Sequence, residues 1–515
     1  MDRAKHSIKN SLWGFAYRFL HLFFPVLFRA AIIRNLGIAY IGLDGLFKSI
    51  LHVLNLSELG FGSAVIYMMY KPIAEGDEKT VNRLLSLLRK VYRIVGLVML
   101  VAGVAVVPFL NVLVKNDTGA DVNIYLLYGM YLFHTVMSYW MYSYKSILFS
   151  AHQEYEVNYK IMVGCALVQY AIQIVVLFTL RNYYIYLLVF ALMIIPQNLL
   201  YRFISEKKYP RLHCEGSPTA EEKAIIKVKI GSLLGHRIGN TVIFSIDSII
   251  ISAFIGITIL AKYDSYNYIM TALVTLLTVI RTSMLASVGN KISMDSIASV
   301  YKLFKRLSFL WIGLVAWVTA CLLSLYQPFI EIWIGAEYLF PIGIVICIAL
   351  YFFVWQFRQL GLIFKDAAGL WEKDRFKPYI GMTANVVFSI LFVKITGSIL
   401  GVLIPTMFIL VFLYFPWELH VLFHELFKRS GREYVMLLIR FVLSSLLSVF
   451  IVFIINYRIS LKGVVGIIVK GVICTIIMPI IYTGSNMNTI EFQESRMLAL
   501  RYLRRLRLFG GENRE

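Results

Sequence analysis

The sequence predicts an all-α, polytopic membrane protein of about fourteen transmembrane helices, built as two pseudo-symmetric six-helix bundles plus two C-terminal helices. Three observations carry this reading. Of the 515 residues, 59% are hydrophobic and only 15% charged, with mean hydropathy +0.74, far from the balance of a soluble domain. Apolar runs of about 20 residues recur from end to end, each long enough to cross a hydrocarbon layer as a helix that satisfies its own backbone. The chain also repeats itself at an offset of 219 or 220 residues.

The apolar runs, numbered as spans 1 to 14, centre near Leu22, Leu56, Val101, Thr135, Val168, Leu192, Phe244, Leu273, Leu314, Ala349, Val387, Phe408, Leu446 and Cys474. The first contains Arg18 and lacks a small-residue cleavage pattern, so it is expected to stay as a membrane helix. The net charge is +21. With the N-terminus in the cytoplasm, most of the 50 Lys and Arg collect on the inner loops and the two tails. The positive-inside rule therefore places both termini in the cytoplasm. Topology and contact with anionic lipid, rather than nucleic acid, account for most of the basic excess. Five cysteines are scattered with no CxxC pair, so neither a disulfide framework nor a metal site is expected, and no cofactor.

The repeat sets the organisation. Arg18 maps to Arg237, each near the start of its helix. LGIAYIGLDG (36–45) faces IGITILAKYDS (255–265), with Gly37 on Gly256 and, after a one-residue slip, Asp44 on Asp264. TVNRLLSLLRK (80–90) matches SVYKLFKRLSF (299–309), and PFLNVLV (108–114) falls on PFIEIWI (328–334). Spans 1–6 and 7–12 thus read as two copies that insert the same way up, with a two-fold axis along the membrane normal and a substrate path between them. The expected domains are an N-lobe over 1–214, a C-lobe over 215–418, and helices 13–14 with a cytoplasmic tail over 419–515. The connection Glu206 to Lys229 holds the Pro and Gly of a linker. RMLALRYLRRLRLFG (496–510) reads as a basic amphipathic helix on the cytoplasmic leaflet.

Polar residues within the spans locate a candidate site. Seven cations fall there: Arg18, Arg29, Lys48, Arg237, Arg281, Arg440 and Lys470. At roughly 2.5–3.5 kcal/mol each at mid-depth, burying all of them in lipid would cost on the order of 20 kcal/mol, more than most proteins' whole stability. Arg440 is close enough to an inner end to snorkel. Arg18 and Arg281, about two turns in, can snorkel too, whereas a water-filled chamber accounts for them together with Arg29, Lys48 and Arg237. Arg18 and Arg29 share one helix face about 16 Å apart. On span 2, Asp44, Lys48, His52, Asn55, Glu58 and Gly62 form one stripe. His236, Asn240 and Asp247 do the same on span 7, as do Asn267, Thr271, Thr278 and Arg281 on span 8. Such stripes serve an aqueous lumen or helix–helix hydrogen bonding. The planar fork of arginine pairs with phosphate or carboxylate, and Lys48 adds a point charge, so an anionic substrate is expected. Asp44, Glu58 and Asp247 either neutralise these cations or couple transport to protons or sodium. Tyr125, Tyr128, Tyr139 and Tyr142 of span 4 are placed near one face, as packing rings or a sugar path.

Other chemistry is missing. No phosphate-cradling Walker loop occurs, so the chain does not hydrolyse nucleotide by itself. His420 and His424 in ELHVLFHEL (418–426) stand at i, i+4, but the glutamate is misplaced for a metalloprotease helix, and the segment reads as interfacial. The short outer loops leave little room for the catalytic domain of a membrane glycosyltransferase or polysaccharide polymerase. The chain is expected not to be an enzyme.

The run RNLGIAYIGLDGLFKSILHVLNLSELGFGSAVIYMMYKPIAEGD (34–77) resembles the first helix hairpin of the bacterial polysaccharide transporters. SIDSIIISAFIGITILAKYDSYNYI (245–269), SVGN (287–290), IWIGAEYL (332–339) and GLWEKDRFKPYI (369–380) resemble later blocks. These proteins are the repeat-unit flippases for O-antigen, capsule and exopolysaccharide, in one superfamily with the multidrug and toxin extrusion (MATE) antiporters. The resemblance covers spans 1–12 and departs at Asp247-Ser248, where the family pattern is Asp-Asn. It implies two six-helix lobes around a cationic cavity. It also implies translocation of undecaprenyl-diphosphate-linked oligosaccharide across a bacterial cell membrane by ion-driven alternating access. Arg18, Arg29, Lys48, Arg237 and Arg281 would face the diphosphate, and His52, Asn55, His236, Asn240 and Asn267 would complete the polar lining. A polysaccharide polymerase and other assembly proteins become expected partners. The alternative of the same fold is a multidrug or cation antiporter, whose lumen should favour acids.

Overall fold

A computed structural model describes residues 2–55, 61–115, 122–217, 219–220 and 245–511, with side chains between 9 and 500 within those ranges. All regular structure among them is helical. Among the described residues, eleven helices are long and apolar enough to cross a membrane: Lys9–Leu36, Glu78–Leu113, Tyr155–Leu180, Tyr183–Lys208, Ile257–Met294, Ile297–Trp333, Ile342–Ala367, Leu370–Thr396, Leu400–Phe427, Arg432–Tyr457 and Gly463–Ser485. They are spans 1, 3, 5, 6 and 8 to 14. Span 4 is the 17-residue helix Ile124–Trp140. Spans 2 and 7 run into residues outside the described ranges, span 2 as Ala39–Leu54 and Phe61–Glu75, span 7 as Ser245–Ile255.

Local chemistry explains where these helices begin and end. Side chains of Asp77, Asn123 and Asn182 accept from backbone amides three residues on, at 3.0, 3.0 and 3.2 Å, and open spans 3, 4 and 6. Each satisfies an amide that a helix start leaves orphaned. The repeat partners Gly37 and Gly256 close spans 1 and 7 in the same way. Their φ values are 106° and 137°, and their amides reach back five residues, to Ile32 at 3.1 Å and Ile251 at 3.0 Å. Only glycine adopts such angles without strain. On span 1, Leu12, Phe15, Phe19, Phe23 and Leu27 form one exposed apolar stripe, while Phe28, Ile32 and Ile33 are buried.

The chain falls into two compact units, residues 1–264 with 393–398 and residues 265–392 with 399–515. In the first, span 1 packs on span 5, span 3 on span 4, and spans 4 and 5 on span 6. In the second, span 9 is the core, mostly buried under spans 10, 13 and 14. Asn456 of span 13 donates to Ser324 Oγ at 3.1 Å, and Tyr482 of span 14 donates to the Phe309 carbonyl at 2.8 Å. Spans 13 and 14 stand outside the sequence repeat, yet they complete this unit's interior.

Spans 4 and 10 are broken. Span 4 stops at Trp140 and restarts, after a turn at Ser143–Lys145, as Ser146–Ala151. Span 10 passes from Ile342–Phe357 to Gln359–Ala367. The expected common face of Tyr125, Tyr128, Tyr139 and Tyr142 therefore fails, because Tyr142 lies beyond the helix end. Tyr128 and Tyr139 are buried packing rings, and Tyr128 donates to the Gly103 carbonyl at 3.0 Å.

Candidate functional site

Charge gathers in the first unit, where side chains of spans 1, 2, 4, 6 and 8 meet. Arg29 Nη2 lies 3.9 Å from Asp264 Oδ2. Lys48 Nζ lies 2.7 Å from Asp44 Oδ1, one helical turn earlier on span 2. The Tyr131 hydroxyl donates to Asp44 and stands 3.3 Å from the Tyr183 hydroxyl, whose ring stacks on Tyr40 at 4.3 Å. Gly45 makes the assembly possible: a Cβ there would sit 1.8 Å from Asp264 Oδ2. Without a side chain at that point, the Asp264 carboxyl drops onto span 2 next to its repeat partner Asp44.

Two cations and two acids balance in this cluster, and their engagement is uneven. Arg29 and Asp264 are largely enclosed, yet their pair is at the outer limit of contact. Asp44 is 16% exposed, whereas Lys48 is 58% exposed. A lysine held on one side and wet on the other can exchange its carboxylate for a phosphate oxygen at little electrostatic loss.

The other expected residues are distributed as follows. Arg18 is exposed on span 1. By helical geometry it and Arg29 lie about 110° round from the centre of the exposed apolar stripe. His52 is exposed, with its ring nitrogen 2.9 Å from Ser245 Oγ, and Asn55 accepts from the Tyr139 hydroxyl. The lower part of the span 2 stripe thus serves helix–helix hydrogen bonding. Asp247 is 1% exposed, and its Oδ1 has no hydrogen-bond partner among the described residues. Asn267 and Arg281 are half-buried in the second unit, where Arg281 Nε likewise has no partner among the described residues. Glu58, His236, Arg237 and Asn240 lie outside the described residues.

A denser cluster in the second unit escapes the sequence reading. Arg358, at the break of span 10, grips Glu418 of span 12 with two prongs, Nη2 to Oε1 at 2.6 Å and Nε to Oε2 at 3.1 Å. Lys377 lies 2.7 Å from Glu418 and 2.6 Å from Asp374, which Lys365 also meets at 2.6 Å. None of the five side chains is more than 6% exposed. The Tyr414 ring faces Arg358 and Lys377 at 5.2 and 5.3 Å. The only sequence signal is the charge density of FRQLGLIFKDAAGLWEKDRFK (357–377), which reads as inner-loop charge. In ELHVLFHEL, His420 and His424 are exposed as expected, but Glu418 is not.

The first unit holds a counterpart. Tyr142, at the break of span 4, accepts from Arg202 Nη1 at 2.9 Å, with the guanidinium 5.0 Å over its ring. Glu206, one turn beyond Arg202, pairs with it at 3.2 Å and with Lys145 at 2.6 Å. Each unit thus ties a broken span to its neighbour through arginine, tyrosine, glutamate and lysine. Arginine and tyrosine are exchanged between the two helices. Every cation in both joints meets a carboxylate, although cations outnumber carboxylates by one in each, and these mutual pairings suit the joints to hold a helix break.

No family model matches the chain, and no curated protein matches it. Solved structures do. The lipid II flippase MurJ, in an inward closed conformation, aligns over 93% of this chain and 99% of its own, with TM-score 0.63 and 15% identity. An inward-facing multidrug resistance MATE transporter of the MOP superfamily aligns over 82% of this chain and 96% of its own, with TM-score 0.58 and 13% identity. A mutant of the Vibrio cholerae MATE transporter VcmN covers 83% of this chain and 99% of its own at TM-score 0.53 and 14% identity. The chain therefore has the multi-pass, all-helical fold shared by MurJ and the MATE transporters of the MOP superfamily.

Proposed function

We propose that this chain is a flippase for lipid-linked oligosaccharide. It moves undecaprenyl-diphosphate-linked polysaccharide repeat units from the cytoplasmic to the outer leaflet of a bacterial cell membrane by alternating access. The observation that carries the reading is the Arg29–Asp264 and Asp44–Lys48 cluster, in which cations within the spans hold carboxylates that a diphosphate can displace. Arg18, Arg29 and Lys48, with Arg237 and Arg281, then engage the diphosphate. Displacement frees Asp44 and Asp264 to take a proton or sodium ion, which gives the cargo and the coupling ion one shared set of groups. Glu58 and Asp247 are the other coupling candidates. Likeness to a protein named as a lipid II flippase supports a lipid-linked cargo. The resemblance of residues 34–77 to polysaccharide transporters supports a glycan. The chain makes and breaks no covalent bond in this role.

The test is the double variant Arg18→Ala with Arg237→Ala. It is expected to reach the membrane at normal levels while intact lipid-linked repeat units accumulate on the cytoplasmic side. Normal surface polysaccharide in that strain would overturn the assignment. A MATE-like cation antiporter is the second reading, favoured by the equal number of acids and cations in the cluster. It requires resistance to cationic drugs to rise on expression, with surface glycan unchanged.

A further inference from the structure

The C-terminal helix is the one motif that transport does not absorb. It runs from Ile490 to Gly511, five residues after span 14 ends at Ser485, so it leaves the bundle at the level of the membrane surface. Its root is fixed. Asn486 donates to Ser444 Oγ and to the Tyr482 carbonyl, both at 2.8 Å, and Thr489 caps the helix through the Phe492 amide at 3.3 Å. Glu494 pairs with Lys302 at 2.6 Å and Glu491 with Lys305 at 3.7 Å, both at the start of span 9. The Phe492 ring stands 6.0 Å from Phe309.

Those pairs occupy the acids of the helix. From Ser495 to Gly511 there is no Asp or Glu, but there are five arginines: Arg496, Arg501, Arg504, Arg505 and Arg507. By helical geometry Leu498, Tyr502, Leu506 and Phe509, at three- and four-residue steps, share one side, and the arginines lie around the rest of the helix. A basic helix with an apolar row, tethered at the bilayer boundary, meets one surface at high effective concentration. We propose that Ser495–Gly511 docks on anionic phospholipid headgroups of the protein's own bilayer, with arginines at the phosphates and the apolar side at the acyl boundary.

The test uses full-length protein carrying Cys214→Ser and Leu506→Cys, labelled with an environment-sensitive fluorophore, in nanodiscs of phosphatidylcholine with or without phosphatidylglycerol. Phosphatidylglycerol is expected to blue-shift the probe and raise its quenching by doxyl-labelled lipid about threefold or more, an effect that salt weakens. Adding Arg501→Gln, Arg504→Gln and Arg505→Gln is expected to abolish the lipid dependence. Trypsin on unlabelled protein gives a second measurement: phosphatidylglycerol should protect the arginine sites from cleavage. Equal quenching and equal cleavage in both lipids would overturn the proposal. So would displacement of the probe from phosphatidylglycerol by added RNA, which would make this a nucleic-acid surface.

Discussion

Gly45 decides the first unit's charge cluster, since any side chain there collides with the Asp264 carboxyl. Gly45→Ala is expected to lower stability by about 1–3 kcal/mol through overpacking. Gly129→Ala, with nothing within 4 Å of the added carbon, should leave the Tm nearly unchanged; thermal unfolding in detergent compares the two. The glutamates of the two joints make a second contrast. Glu418→Gln strands buried Arg358, Lys377 and Lys365 with only Asp374 to balance them, and should cost about 3–5 kcal/mol. Glu206, 45% exposed, sits in a wet joint, so Glu206→Gln should cost no more than about 1 kcal/mol. Equal Tm losses in those two variants would refute the assignment of one joint as dry. Sequence reading reached Asp264 only as the repeat partner of Asp44. That the two acids share a cluster depends on contact between distant segments, which spacing along the chain does not encode.

Among the elements, spans are legible because hydropathy is local, and breaks within them are not. The aromatic run of span 4 reads as continuous helix through Tyr144. In the structure the helix ends at Trp140 because span 6 offers the chain another partner: Asn198, fully buried, accepts the Tyr142 amide at 2.9 Å. Asn198→Leu leaves that amide unpaired in the interior, with an expected loss of about 1–3 kcal/mol. Hydrogen exchange should then show faster turnover at 141–145 before any global change. Unaltered protection there would mean that the break is set elsewhere. The buried pairing within 357–377 is hidden for a related reason. Composition at a span end looks the same whether a lysine faces water or a buried carboxylate.

For the whole molecule, the two extra spans are structural parts of the second unit rather than appendages. Removing residues 430–515 strips Asn456 and Tyr482 from span 9 and uncovers its most buried surface. The truncated chain is expected to aggregate or be degraded, read as loss of a monodisperse peak in detergent. A stable truncated protein would show that span 9 does not need them. The repeat itself was legible where it rests on a backbone demand that one residue type meets, as at Gly37 and Gly256. It was hidden at the two joints. There the halves keep the same cation–ring contact but trade which helix supplies the ring, so a position-by-position alignment scores two mismatches where physics sees one interaction. Ancestry between such halves is therefore better sought by superposing contacts than by matching letters, and paired replacements across adjoining helices are where divergence conceals it.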